Sequence, residues 1–250
     1  MKVILLCAGY ATRLYPLTEN QPKALLPIQG RPILEWILEA ARPVKGIDEI
    51  IVISNDRFAA NFDVWAKKLK MPWPVSVVND RTTSNETRLG AMGDLKFALG
   101  EKGVGSEDLL VIAGDNLFSF DLVRFVQEGM AKRPYPLIAV YDVKDRELAK
   151  RYGLVKAEPG GRVLQFYEKP ADPPTTFASC GIYWLPRETR PLLDKYLADG
   201  NNPDQPGHYM RWLAETTQLY QQNLGGLWFD IGDLESYHKA NEVFREKKGA

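Results

Sequence analysis

The chain has 250 residues, 45% of them hydrophobic, enough for one large α/β domain or two small ones around a sizeable core. Its 32 Lys and Arg balance 32 Asp and Glu, so neither a nucleic acid nor an anionic membrane surface is an expected partner, and any anion site must be local. Two cysteines, Cys7 and Cys180, form no metal-like pair, and the apolar run at the N-terminus is too short for a signal peptide or membrane span, so a reducing cytoplasm is the expected compartment.

Val3-Ile4-Leu5-Leu6 is a short apolar run bounded by small residues, the pattern of a strand buried on both faces. Ala8-Gly9 follows, where the backbone can turn tightly and approach a ligand. Arg13 and Pro22-Lys23 come soon after, so the loop reads either as an anion cradle or as an ordinary loop with solvated cations. It is neither a Walker A loop nor a G-x-G-x-x-G fingerprint, and the second absence argues against a dehydrogenase. Gly30-Arg31-Pro32 predicts a helix start, with Ile33, Leu34, Ile37 and Leu38 as its apolar face. A second buried strand is expected over 47–54. Phe58, Phe62, Trp65 and Leu69 have helical spacing and read as core. A third strand spans 74–78 and ends in Asn79-Asp80; a helix follows over 88–99 and a fourth strand over 109–113. This alternation predicts a mostly parallel sheet with helices on both faces.

The second half changes character. A strand is expected over 137–141. Runs at 154–157 and 163–167 flank Glu158-Pro159-Gly160-Gly161, a hairpin signal. Another extended run covers 176–185, then a helix 187–197, a loop 200–207, a helix 208–214 and a closing amphipathic helix 234–246. No repeat or linker divides the chain, so one domain over 1–250 is expected, with a nucleotide-binding half to about residue 135 and a mixed half after it. The given sequence ends soon after the last helix, so no appended domain is expected.

The fourth strand runs into Gly114-Asp115-Asn116. Ligands of open α/β sheets lie at the carboxyl ends of strands, so Asp115 and the first loop should share an edge. A carboxylate facing bound phosphates needs a bridging cation, and Mg²⁺ is the usual one. The alternative for Asp115 is a helix cap. Asp230, in Trp228-Phe229-Asp230-Ile231-Gly232, ends another apolar run and carries the same alternative, although Asp233 suits the cap of the last helix better.

Ala8-Gly9-Tyr10-Ala11-Thr12-Arg13-Leu14-Tyr15-Pro16-Leu17-Thr18, then Pro22-Lys23 and Pro27, resembles the signature of the sugar-1-phosphate nucleotidyltransferases. The glycine usual before Thr-Arg is Ala11 here. Gly114-Asp115-Asn116 and Trp228-x-Asp230-x-Gly232 resemble that family's two metal motifs, Glu168-Lys169-Pro170 its sugar-phosphate motif, Tyr152-Gly153 and Gly181-Ile182-Tyr183 its pocket strands. The resemblance implies an α/β, three-layer Rossmann-like (GT-A-type) nucleotidyltransferase fold with a mixed, mostly parallel sheet. It implies Leu6, Ala8, Gly9, Arg13, Lys23 and Gly90 at the nucleotide; Gly153, Glu168, Lys169 and Gly181 at the sugar phosphate; and Asp115 and Asp230 on Mg²⁺. Arg13, Lys23 and Asp115 are the catalytic candidates. Asn79 has an amide able to face a pyrimidine edge, and the Thr- and Ser-rich stretch after it could form a lid.

The expected reaction joins a nucleoside triphosphate to a sugar 1-phosphate, giving a nucleotide sugar and pyrophosphate, in an enzyme that can form homo-oligomers. Two alternatives stay open: a cytidylyltransferase for a non-sugar phosphate such as phosphocholine, and a regulatory subunit that binds a nucleotide sugar without turnover.

Overall fold

The computed structural model describes residues 1–246. Its centre is β1 (Lys2–Leu6), whose Val3, Ile4 and Leu5 are fully buried. Val3 and Leu5 pack into one apolar layer and Ile4 into the other, because successive strand residues face opposite sides. The two layers are the helix-covered faces of one sheet.

After the first loop, β2 (Pro27–Ile28) and β3 (Arg31–Pro32) form a two-residue ladder around Gln29 and Gly30, both at positive φ (53° and 75°). That tight turn explains why α1 (Ile33–Ala41) begins three residues later than Gly30. The parallel set is completed by β4 (Glu49–Ser54), α2 (Ala59–Ala66), β5 (Val75–Asn79), α3 (Ala91–Glu101) and β6 (Leu109–Ala113). Leu69 lies beyond α2, while Phe58, Phe62 and Trp65 are core as expected. Strand order across the sheet is β5-β4-β1-β6, all parallel. The chain moves outward from β1 to β5 and then returns to the other side of β1. The loops after β1 and β6 therefore diverge and leave a crevice at the carboxyl edge.

The remaining elements are β7 (Asn116–Phe118), α4 (Leu122–Ala131), β8 (Leu137–Asp142), α5 (Arg146–Ala149), β9 (Gly153–Ala157), β10 (Val163–Glu168), β11 (Phe177–Leu185), α6 (Arg190–Ala198), α7 (Pro206–Thr216), β12 (Tyr220–Asn223), β13 (Trp228–Asp230) and α8 (Leu234–Glu246). β11 lies antiparallel to β6, and β8, β9 and β10 extend the sheet by antiparallel pairing. The sheet is thus mixed and mostly parallel at its nucleotide side, as expected. α4 was absent from the sequence expectations, and Asp121 caps it by accepting from the N–H groups of Val123 and Arg124. The loop expected to 207 ends at Gln205, because Pro206 opens α7. No helix among the described residues is long and apolar enough to cross a membrane.

Candidate active site

The first loop is built on β1 and braced from β4. Asn55, fully buried just after β4, donates from Nδ2 to the Ala8 carbonyl at 2.8 Å. Gly9 is exposed, with open space where a Cβ would stand. The left-handed residue of the loop is Ala11 (φ 49°, ψ 40°), the position where the resembling signature usually has glycine. Thr18 Oγ1 holds the Ala11 carbonyl at 2.8 Å. Two short 3₁₀ turns follow, Thr12–Leu14 and Lys23–Leu25, and they carry Arg13 and Lys23.

Lys23 Nζ donates to Asp115 Oδ2 at 2.6 Å. Asp115 caps no helix: α4 begins at Leu122 under its own cap, Asp121. β7 pairs antiparallel with β13 so that Asn116 stands opposite Asp230. This pairing, between residues far apart in sequence, brings the two carboxylates together. Burial, then the negative charge of Asp115, pushes the Asp230 carboxyl up to about 6, against the pull of Lys23 and Arg13. Asp233 caps α8 as expected, accepting from Ser236 N at 2.8 Å. No group of three or more His, Cys, Asp or Glu converges for a metal among the described residues. Two adjoining carboxylates beside Lys23 and Arg13 do fit Mg²⁺, which takes one or two carboxylates and leaves its other positions to water and phosphate. A cation there would also relieve the mutual repulsion of Asp115 and Asp230.

Beside this pair lies a cleft of about 290 Å³. Arg13, Asp115, Gly153, Glu168, Lys169, Gly181 and Asp230 all line it. Gly153 is required by close packing, since a Cβ would stand 2.5 Å from the Phe166 ring. Gly181 sits at φ 67° within the register shift of β11, where a Cβ would meet Asn116 Nδ2 at 3.0 Å. Burial raises the Glu168 carboxyl above the usual range, while Lys169 and His208 lower it. A half-buried carboxylate with neighbouring cations can accept hydrogen bonds from hydroxyl groups beside a phosphate.

Residues 2–247 match the Nucleotidyl transferase family. The chain belongs to that family. The bifunctional protein GlmU of Methanocaldococcus jannaschii is 27% identical over 99% of this chain and 55% of its own length. The glucose-1-phosphate thymidylyltransferase of Neisseria meningitidis serogroup A is 27% identical over 96% of this chain and 81% of its own. A solved UDP-glucose pyrophosphorylase complexed with UDP-glucose superposes with a TM-score of 0.81 at 22% identity, covering 98% of both chains, a likeness of fold. The family and fold implied by the motif resemblance are therefore those found. This nucleotidyl transferase spans about half the length of some curated relatives.

The remaining nucleotide candidates lie along the neighbouring edge. Leu6 ends β1 and accepts from Gly114 N at 2.9 Å. Asn79 ends β5, and both ends of its amide are engaged within the chain: Nδ2 donates to Asp56 at 2.8 Å, and Oδ1 accepts from Arg81 N at 2.8 Å. Gly90 precedes α3 at φ 79°, and a Cβ there would stand 2.5 Å from Asp204 Cα. The polar stretch after Asn79 contains a hydrogen-bonded turn from Ser84 to Thr87.

Sequence reasoning missed Asn55, and it missed Gln205, Pro206 and Gly207, which form one wall of the cleft. A Cβ on Gly207 would overlap Glu168 Oε2, so this glycine makes room for the carboxylate. The readable signal was Gln205-Pro206, an N-cap followed by a first-turn proline.

Proposed function

We propose that this nucleotidyl transferase joins a nucleoside triphosphate to a sugar 1-phosphate, releasing pyrophosphate, within one domain whose two halves carry the two substrates. The supporting observation is the Lys23–Asp115 contact at 2.6 Å beside Asp230, opening onto the cleft that holds Glu168 and Lys169. Cation, carboxylate pair and acceptor cations thus adjoin one another at the carboxyl edge of the sheet.

In this reading an oxygen of the acceptor phosphate attacks the α-phosphorus, and the bond to the β-phosphate oxygen breaks. The nucleophile is already anionic near neutral pH, so no general base is required. Catalysis is then positioning and charge neutralisation. Gly9 lets the triphosphate approach the loop backbone. Lys23 stabilises charge around the α-phosphate, and Arg13 neutralises the leaving pyrophosphate. Lys169 aligns the acceptor phosphate, and Glu168 accepts from sugar hydroxyls. Asp115 and Asp230 would hold Mg²⁺, which when bound supplies positive charge to the triphosphate.

The test is pyrophosphate release with Mg²⁺ over a grid of five nucleoside triphosphates against hexose 1-phosphates, N-acetylglucosamine 1-phosphate and phosphocholine. Turnover with a sugar 1-phosphate that disappears in Asp230→Ala supports the reading. Turnover with phosphocholine alone replaces the acceptor class. Tight nucleotide-sugar binding with no pyrophosphate from any pair would leave a regulatory subunit in its place.

A further inference from the structure

Arg151 stands at the acceptor end of the cleft, in the turn between α5 and β9. Two backbone bonds close that turn: Arg151 N donates to Leu148 O at 3.1 Å and Tyr152 N to Ala149 O at 3.1 Å. Gly153 opens β9 opposite Glu168, the last residue of β10, and Lys169 N donates to Tyr152 O at 3.2 Å. Arg151 and Lys169 therefore lie at the same end of one antiparallel ladder, and both line the cleft together with Asp230. The Tyr152 ring meets the Trp228 ring edge-on with centroids 5.0 Å apart, which packs this turn against the strand that carries Asp230.

The Arg151 guanidinium is held by one of its nitrogens. Nη2 donates to Asp233 Oδ2 at 2.7 Å, while Asp233 Oδ1 accepts from Ser236 N at 2.8 Å, so Asp233 ties Arg151 to the N-terminus of α8. Nε and Nη1 have no hydrogen-bond partner among the described residues, and the side chain is 51% exposed. A guanidinium fixed at one nitrogen and open at the others is pre-organised for a tetrahedral anion. Lys169 by itself matches a phosphate monoester poorly. The monoester carries about two negative charges near neutral pH. The ammonium is one point charge, and Glu168 Oε1 lies 3.8 Å from it.

We propose that Arg151 binds the acceptor phosphate beside Lys169, with Asp233 as the positioning residue that holds its guanidinium in place. This rests on the sugar-phosphate reading of the cleft. Arg151 meets the phosphate charge that Lys169 leaves unmatched, and its planar fork sets the orientation of the phosphate as well as its affinity. Arg13 serves the leaving pyrophosphate in the same reading, so the two arginines that line the cleft act on different phosphates.

The experiment is steady-state kinetics of Arg151→Ala, Arg151→Lys and Asp233→Asn with the acceptor that the wild type turns over. Inorganic phosphate serves as a competitive inhibitor against that acceptor at saturating nucleotide, and a melting curve is recorded for each variant. Arg151→Ala should raise the acceptor KM about tenfold to a hundredfold, the scale of losing hydrogen bonds to a charged partner. The inhibition constant of phosphate should rise with it, while the nucleotide KM stays within about twofold. Arg151→Lys should fall between, as a point charge that cannot fork. Asp233→Asn keeps an oxygen for Ser236 N and removes the charge that holds Arg151, so its acceptor KM should rise only about twofold to fivefold, the scale of an exposed ion pair. An acceptor KM within about twofold of wild type in Arg151→Ala overturns the proposal. So does an equal rise for both substrates, or a raised acceptor KM with unaltered phosphate inhibition. Asp233→Asn as weak as Arg151→Ala also overturns it, because the ion pair would then be a structural clip. Should Arg151→Ala fail to fold, Arg151→Lys decides by the same two constants: both raised supports the proposal, and either unchanged overturns it. A wild type that releases no pyrophosphate with any acceptor defeats the functional reading itself, which is a different result from an active wild type with an indifferent Arg151.

Discussion

The indole Nε1 of Trp228 donates a 2.6 Å hydrogen bond to Asn116 Oδ1, across the pairing of β13 with β7. With its oxygen so fixed, the Asn116 amide turns its Nδ2 toward Asp115 Oδ1 at 3.0 Å. Two motifs that lie more than a hundred residues apart in sequence are thereby locked at one point. Asn116 is 3% exposed, so Trp228→Phe leaves a buried oxygen without its donor. The expected loss is about 1–3 kcal/mol in denaturant unfolding. Pyrophosphate release should fall with it, since the register of Asp230 against Asn116 loosens. A variant with unaltered midpoint and turnover would mean that the strand pairing alone holds the carboxylates.

Lys23 makes its contact with Asp115 through a side chain only 20% exposed, in a short turn that the backbone closes independently. Lys23→Ala should therefore fold, while turnover drops about 10²–10³, the scale for removing one preorganised donor to developing charge. The measurement is kcat at saturating substrates beside a circular-dichroism melt. A variant within threefold of wild type would remove Lys23 from the chemistry.

The parallel half of the fold was legible because its strands are short apolar runs that need no partner to be recognised; residues 109–113 coincide with β6. What was not legible depends on long-range pairing or on backbone handedness. β7 and β13 have three residues each and exist as strands through one another. The start of α1 was displaced by a turn at Gln29-Gly30 whose positive φ at a glutamine has no strong sequence mark. In the candidate site, Asp115 and Asp230 were found as motifs, and their convergence is a property of the β7–β13 ladder. Gln205 marked a helix start but no site, and Gly207 becomes meaningful only once Glu168 is seen against it.

Ala11 occupies the left-handed region at φ 49° without the freedom of glycine. Such a residue costs roughly 1–2 kcal/mol for an L-amino acid. Glycine would remove that strain and give back part of it as unfolded-chain entropy, about 0.5–1 kcal/mol. Ala11→Gly should then stabilise the protein by about 0.5–1 kcal/mol, a rise of roughly 1–4 °C in melting temperature for a chain of this size. The loop keeps its Thr18 bond to the residue 11 carbonyl, so turnover should not fall. A lower melting temperature would show that the Ala11 methyl packs well enough to outweigh its strain.

Asp94 gives the protein a distinct dependence on pH. It lies in the first turn of α3, 7% exposed, and burial followed by the charge of Asp80 pushes its carboxyl up to about 8. Asp204 adds a weaker negative charge, and Arg88 is spent on Asp204. The unfolded group titrates near 3.9. A raised folded value means that the stability tied to this proton is complete below about pH 4 and is lost as pH climbs toward 8, with a slope of up to about 1.4 kcal/mol per pH unit. Asp94→Asn keeps a donor toward Asp80 and cannot ionise. Its unfolding midpoint should match wild type near pH 4, exceed it increasingly toward pH 8 to 9, and follow a flatter curve between. Urea midpoints at four pH values test this directly, and parallel curves for the two proteins would show that Asp94 is ionised in the fold, with its charge met by a group other than Asp80.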